Sequence, residues 1–177
     1  AEAASITRAT ARRVLHTLVH EGFAVQEGRE FRLTPRVLEL GHGYWTGTSL
    51  AELLRPVLAR ASQALEQSCS AAVLDGAFLL YIARVHTERI IRVNLDVGTR
   101  LPAFLTSMGR VLLADLSPEA LAAHLAAADI RPLTPKSLTD RAALAAEIRR
   151  CGAQGYALVD EELELGLRSI AAPIRDR

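Results

Sequence analysis

Three arginines, Arg8, Arg12 and Arg13, fall within residues Thr7–His20, a stretch with no acidic residue. Planar guanidinium forks suit phosphates and guanine edges, so this stretch is equipped to meet a polyanion. A second locus is Thr106-Ser107-Met108-Gly109. It puts hydroxyls and a glycine at a predicted helix start, where free N–H groups and the dipole attract a carboxylate and Gly109 lets a ligand come close. The same residues also read as an ordinary N-cap with core packing. Acids gather at Asp160-Glu161-Glu162 and Glu164. Neighbouring acids on a strand face opposite sides, so Glu161 and Glu162 cannot work there as one acid–base pair. No Ser-His-Asp context or glycine-rich phosphate loop appears. His16 and His20 stand at i, i+4, a metal-capable spacing that lacks the companion of a zinc motif. No enzyme, no metal and no cofactor is therefore expected. A small-molecule enzyme of α+β fold and a thiol redox sensor are the alternatives. For the latter, Cys151 follows Arg149 and Arg150, basic neighbours that can activate a thiol, whereas Cys69 reads as packing.

Composition narrows the classes further. The 177 residues are 50% hydrophobic with a net charge of +1, which argues against disorder. No apolar run approaches the ~20 residues of a membrane span, and Ala1–Arg13 lacks the apolar core of a secretory leader. Two cysteines make neither a disulfide framework nor a four-ligand zinc site, so a reduced cytoplasmic setting is expected. Of the 21 basic residues all but Lys136 are arginine, and their early clustering lets a near-neutral chain carry a local basic face.

The elements that must position these residues are legible from periodicity. Ala11, Val14, Leu15, Leu18 and Val19 form one apolar stripe and predict a helix over 6–21, capped by Thr7 or Ser5 and stopped by Gly22. Residues 23–25 and 31–33 predict a hairpin with a Gly28-containing tip. Thr34-Pro35 opens another helix, as N-cap and first helical residue. Gly47-Thr48-Ser49 reads as a linker. Leu50 to Leu65 traces a further amphipathic helix that Pro56 should kink or delay. Residues 70–74, 78–85 and 90–96 are β-rich, with Asp75-Gly76 as a hairpin turn. Helices follow over 107–115, from Ser117-Pro118 to about 128, and over 140–151, ended by Gly152. Strands over 156–160 and 169–174 close the chain. Helix, hairpin, helix is the back half of a winged helix-turn-helix, and the remainder predicts an α+β domain with an antiparallel sheet.

These segments together resemble the IclR family of bacterial transcription regulators. The resemblance rests on Ala1–Gly22 with its hairpin, on Arg36-Val37-Leu38-Glu39-Leu40-Gly41, and on Leu101-Pro102 followed by Thr106–Ala114. It continues through Gly155–Glu162 and Gly166–Pro173. Ser-Met-Gly-Arg at 107–110 and Asp-Glu-Glu-Leu at 160–163 look most like the branch controlling protocatechuate and β-ketoadipate catabolism. The resemblance implies a partial winged helix-turn-helix over 1–34, linker and dimerisation helices over 35–67, and a GAF-like effector-binding domain over 68–177. Against the family pattern, the first helix and most of the second are absent. The chain stops before the last strand and helix, and Ser5 stands where the turn often has glycine.

By this resemblance the basic helix reads operator DNA. Thr7, Arg8, Ala9, Thr10 and Arg12 are assigned to base edges or nearby phosphates, and Arg13 and the wing-tip Arg29 to phosphate. Spacing alone fits a solvated surface helix as well. Helical phase turns Ala9, Arg13, His16 and His20 away from the apolar stripe. Ser107 and Met108, with Gly109, match positions that line the family's effector cavity, and Asp160 and Ser169 match two more. Arg168 either neutralises a ligand carboxylate or bridges to Glu161, Glu162 or Glu164. The implied effector is a small aromatic or aliphatic organic acid. The implied assembly is a homodimer or homotetramer, acting as repressor or activator. Tyr44-Trp45 could anchor a dimer contact or dock within the chain.

Overall fold

The computed structural model describes residues 4–46, 50–87 and 95–175. The predicted linker at 47–49 and most of the strand predicted over 90–96 lie outside the described residues, as do the side chains of Tyr44 and Trp45. The chain forms two compact units, Ala1–Glu52 and Leu53–Arg177.

In the first unit, α1 (Arg8–His20) starts at Thr7, whose hydroxyl accepts from Thr10 N–H at 3.2 Å. Ser5 takes φ +49°, the left-handed conformation that glycine favours, as expected for a turn position where glycine is frequent. After Gly22 (φ +76°), β1 (Ala24–Glu27) pairs antiparallel with β2 (Glu30–Leu33), from Ala24↔Leu33 to Glu27↔Glu30, around a Gly28-Arg29 tip. α2 (Val37–Thr46) follows a turn in which Thr34 and Pro35 carbonyls accept from Val37 and Leu38. The apolar stripe of α1 is less covered than its pattern predicts. No α1 residue is fully buried, and Val14 is 50% exposed. Among the described residues of this unit the hairpin is the main element packed on it, and one small ribbon cannot cover a whole helix face.

The second unit opens with α3 (Leu50–Leu65), which begins in the last residues of the first unit. Pro56 lies inside it, so the proline does not delay the helix start. β3 (Cys69–Asp75) and β4 (Phe78–Val85) form the expected hairpin, with Gly76 at φ +59° in a two-residue turn and a bulge after Ala71. β5 (Arg100–Pro102) adds to β4, giving the antiparallel order β3-β4-β5. A buried 3-10 turn, Ala103–Leu105, leads into α4 (Ser107–Leu113). α5 (Pro118–Ala127) is capped by Ser117 and α6 (Arg141–Gln154) by Asp140. β6 (Ala157–Asp160) and β7 (Arg168–Ala171) make a second antiparallel pair.

α6 runs past Gly152 and ends at Gly155, which takes the left-handed φ of +81° that a helix C-terminus uses. Gly152 has a packing role instead: a Cβ there would stand 3.2 Å from the Ala114 Cβ, so its bare Cα lets α6 approach the end of α4. The core is built from Ala103, Phe104, Leu105 and Leu113 against Leu121, Leu125, Leu144 and Ile148. A second cluster joins Val111, Cys151, Ala157 and Ala171, with Met108 against it. α4 therefore touches the β3-β4 sheet, the β6-β7 pair and α6 at once, and Ser107, Gly109, Arg110, Val111 and Leu113 are buried on it.

Candidate functional site

On α1, Arg8, Arg12 and Arg13 are all exposed, and so is Arg29 at the wing tip. Among the described residues Arg8, Arg13 and Arg29 make no side-chain ion pair, so their forks are free to bind an anion. Arg32, three residues beyond the tip, is instead held by Glu27 across the ribbon. Arg12 Nε donates to His16 Nε2 at 3.4 Å, and the His16 ring stands edge-on to Phe31 at 5.7 Å. His16 is thus not a purely solvent-facing partner of His20; it braces the helix against β2. The Thr7 hydroxyl is engaged with Thr10 as the helix cap, and Ala9 is exposed at the outer face of the first turn.

The second locus centres on the start of α4. Ser107 is 2% exposed, and its hydroxyl donates to Ser169 Oγ at 3.0 Å. Two residues expected at one site from 62 positions apart are therefore brought into direct contact. Ser169 reaches this place because it alternates with exposed Arg168 and Ile170 on the inner side of β7. Met108 packs on the Val111–Cys151 cluster beside it.

Gly109 has a different job from the one expected. A Cβ on it would lie 2.1 Å from the Ala103 carbonyl oxygen, so its open face is filled by the chain's own backbone and leaves no room for a ligand. Its N–H already donates to Thr106 Oγ1 at 3.0 Å, while that hydroxyl donates to Ala103 O. The anion nest expected at this helix start is thus partly used by its own cap. Asp160 is also occupied. Arg168 Nε reaches its carboxylate at 2.5 Å and Lys136 Nζ at 3.6 Å, and the Arg168 hydrogen bond holds the acid below its usual range. Arg168 thus pairs with its cross-strand neighbour rather than with Glu161, Glu162 or Glu164. Glu161, at φ +60°, pairs with Lys136.

Sequence reasoning missed the most buried charges in the unit. The Arg110 side chain is 2% exposed and makes a bidentate pair with Glu162, at 2.8 and 2.7 Å, while its Nε donates to the Phe104 carbonyl at 2.9 Å. Glu162 Oε2 also accepts the Leu138 N–H at 2.9 Å, and its carbonyl accepts from Ser137 Oγ at 2.6 Å. The hub ties α4 to the loop before β7 and to the loop before α6. A composition-based reading places arginine outside, and only its position between Gly109 and Val111-Leu112-Leu113 on a core helix signalled otherwise.

Both thiols are pushed above their ordinary pKa by burial, Cys151 with added help from Glu147, so neither is poised as a thiolate. Among the described residues no group of three metal-capable side chains converges, and no helix is long and apolar enough to cross a membrane. A cavity of about 610 Å³ lies between α3 and the end of β4, lined by residues such as Ser62, Gln63 and His86, and shares no residue with the Ser107–Ser169 pair.

A basic helix with a glycine-tipped wing, followed by a unit of helices and strands whose described pairs are all antiparallel, defines a winged-helix element with a separate α+β domain. The chain belongs to the IclR family: residues 42–177 match the bacterial transcriptional regulator IclR C-terminal family, and residues 1–28 match the IclR helix-turn-helix domain. It is 49% identical to the Pca regulon regulatory protein of Pseudomonas putida, over 97% of this chain and 59% of that relative. The chain thus spans about three fifths of that curated relative's length. Its fold matches an IclR homolog from Microbacterium hydrocarbonoxydans complexed with 4-hydroxybenzoate, at 28% identity and TM-score 0.76, covering 98% of this chain and 72% of that one. It also matches the inducer-binding domain of the Acinetobacter PobR transcription factor, in a double mutant complexed with 3-hydroxybenzoic acid, at 29% identity and TM-score 0.65. That match covers 71% of this chain and 74% of the other.

Proposed function

We propose that this chain is the DNA-reading and effector-sensing part of a cytoplasmic transcription regulator, and not an enzyme. Its operator binding is set by a small aromatic acid of the hydroxybenzoate type, in control of an aromatic catabolic operon. The observation that carries the reading is the Ser107–Ser169 hydroxyl pair on a buried wall of a domain whose relatives hold hydroxybenzoates. In the structure Ser107 donates to Ser169. A carboxylate placed between them would accept from both hydroxyls, replacing one neutral bond by two charge-assisted ones. Met108 supplies an apolar side to the same wall, and Asp160 serves by fixing Arg168 and Lys136 at its rim.

Calorimetric titration with 4-hydroxybenzoate, 3-hydroxybenzoate and aliphatic dicarboxylates tests the assignment. Ser107→Ala is expected to weaken the best acid by about 10–100-fold, the worth of a hydrogen bond to a charged group. Ser107→Trp, which fills the wall, is expected to abolish binding. Equal affinity in wild type and both variants refutes the pocket.

On the DNA side, paired copies would present α1 to successive major grooves and the Gly28-Arg29 tip to the backbone. In the full natural chain, Arg13→Ala is expected to weaken binding to all duplexes alike and to flatten the log K against log[salt] slope by about one unit. A slope unchanged by the substitution removes Arg13 from the phosphate contacts. Homodimer or homotetramer assembly through the 35–67 region completes the proposal. A coupling of about 1–3 kcal/mol between acid and operator is enough for a 5–150-fold switch.

A further inference from the structure

Three consecutive carbonyls, at the C-cap of α1 and just past it, are taken by one short segment. Arg36 Nη1 donates to the Glu21 carbonyl at 2.6 Å, Thr34 Oγ1 to the Gly22 carbonyl at 2.6 Å, and Thr34 N–H to the Phe23 carbonyl at 2.9 Å. Glu21 is the C-cap of α1, so its carbonyl has no partner within the helix, and a cationic donor there suits the negative end of the helix dipole. The Arg36 guanidinium also lies over the Phe23 ring, 5.1 Å from its centroid. It fits closely because residue 22 is glycine: a Cβ there would stand 3.1 Å from Arg36 Nη1. On its other side Arg36 Nε reaches Glu39 Oε2 at 3.2 Å, and the Arg36 carbonyl accepts from Glu39 N–H in the first turn leading into α2.

We propose that Arg36 is a positioning residue that clasps the start of α2 to the end of α1, so that the two helices turn as one body. Along the chain, α1 and α2 are joined only through the β1-β2 ribbon, whose strands have four residues each. A two-stranded ribbon alone is a compliant joint. Closing its base converts ribbon and helix ends into one rigid corner, and any rotation of α2 is delivered to the arginines of α1. The exposed Arg36–Glu39 pair contributes little by itself. The bond to the Glu21 carbonyl and the stacking on Phe23 make the clasp. A lysine keeps a charge but not the fork that spans Glu21, Phe23 and Glu39.

The regulatory consequence rests on the proposed function; the clasp itself does not. The test uses the full natural chain, with Arg36→Ala, Arg36→Lys and the milder Phe23→Leu. Four quantities are measured: amide hydrogen exchange, 4-hydroxybenzoate affinity, affinity for a duplex selected by the wild type from a random pool, and the salt slope of that binding. In Arg36→Ala, exchange at the Phe23, Thr34 and Glu39 amides accelerates together by about tenfold or more, with α5 and α6 unchanged. Acid affinity and salt slope stay at wild-type values. The acid-induced change in duplex affinity, about 5–150-fold in the wild type, falls to about twofold or less. Arg36→Lys and Phe23→Leu show the same pattern at smaller size, which keeps the test intact if Arg36→Ala folds poorly. Unchanged exchange at these amides overturns the clasp, and a fully retained acid response with accelerated exchange overturns the transmission assigned to it. A salt slope reduced by about one also overturns the clasp, since that would make Arg36 a phosphate contact. A wild type that answers no acid brings down the proposed function instead, and exchange alone then decides the clasp.

Discussion

Gly109→Ala is expected to destabilise the Leu53–Arg177 unit by about 3 kcal/mol or more, at or beyond the upper end of ordinary overpacking. The new methyl would meet the Ala103 carbonyl oxygen at 2.1 Å and the Ala103 C and Cα atoms at 2.6 Å. Both sides of that clash are backbone, so no rotamer change relieves it. Ala103 cannot retreat easily either. It is fully buried, its N–H is bonded to the Ala77 carbonyl, and it begins the turn that ends in the Thr106 cap of α4. Helix propensity pulls the other way, since alanine is better than glycine in a helix by about 1 kcal/mol. The sign of the change is therefore informative. Urea denaturation followed by far-UV circular dichroism reads it directly. A midpoint at or above that of the wild type would mean that α4 does not lie against the 103–105 turn.

Glu162→Gln comes next, with an expected loss of about 3–5 kcal/mol, the cost of leaving one member of a buried ion pair behind. The amide keeps the shape of the carboxylate but replaces one acceptor by a donor. In either amide orientation an Arg110 Nη then faces N–H against N–H, and when the amide nitrogen takes the Oε2 place the Leu138 N–H does so too, inside a site where the Arg110 side chain is 2% exposed. Desolvation makes the pair a poor source of net stability compared with apolar side chains. The double variant Arg110→Met, Glu162→Leu is accordingly expected to lose less than Glu162→Gln alone. Thermal and urea melts of the three proteins compare these losses. If the single variant melts with the wild type, the pair is solvated and the hub is not a hub. In the proposed function its position would bear on sensing, because Arg110 sits one turn beyond Ser107 on α4 and holds the loop that leads into β7 and Ser169.

Much of the local architecture was legible in the sequence because it follows from short-range rules. Thr7 and Ser117 act as N-caps in the structure as expected, and Asp140, expected as the first helical residue, caps α6 from one position before it; each accepts from the residue three positions on. Gly28 and Gly76 mark turns whose φ is positive. The stripe on α1 and the Asp75-Gly76 hairpin gave the right elements with boundaries off by a residue or two. Gly152 and Gly155 show where this reading slips. Both are plausible helix stops, and the choice between them turned on whether α4 lies close to α6, which no local pattern records.

At the start of α4, the family resemblance put Ser107 and Ser169 at one site, and the structure joins them by a hydrogen bond. The roles of Gly109, Asp160 and Arg168 were not readable in advance. Each depends on a neighbour distant in sequence or across a strand: the Ala103 backbone for Gly109, and Arg168 with Lys136 for Asp160. Charged side chains are long and find their partners only when the chain has folded, so spacing along a sequence ranks several candidates equally.

Periodicity, capping residues and the placement of arginines were enough by themselves to place the helices to within a few residues and to give the wing, the α+β class and the basic face of α1. These depend on interactions within a few residues, which sequence order encodes directly. The Arg110–Glu162 hub, the packing use of Gly109 and Gly152, and the Arg36 clasp were decided by tertiary structure alone. Each joins atoms whose closeness is set by how elements pack, where one backbone approach at contact distance outweighs any intrinsic preference of the residue.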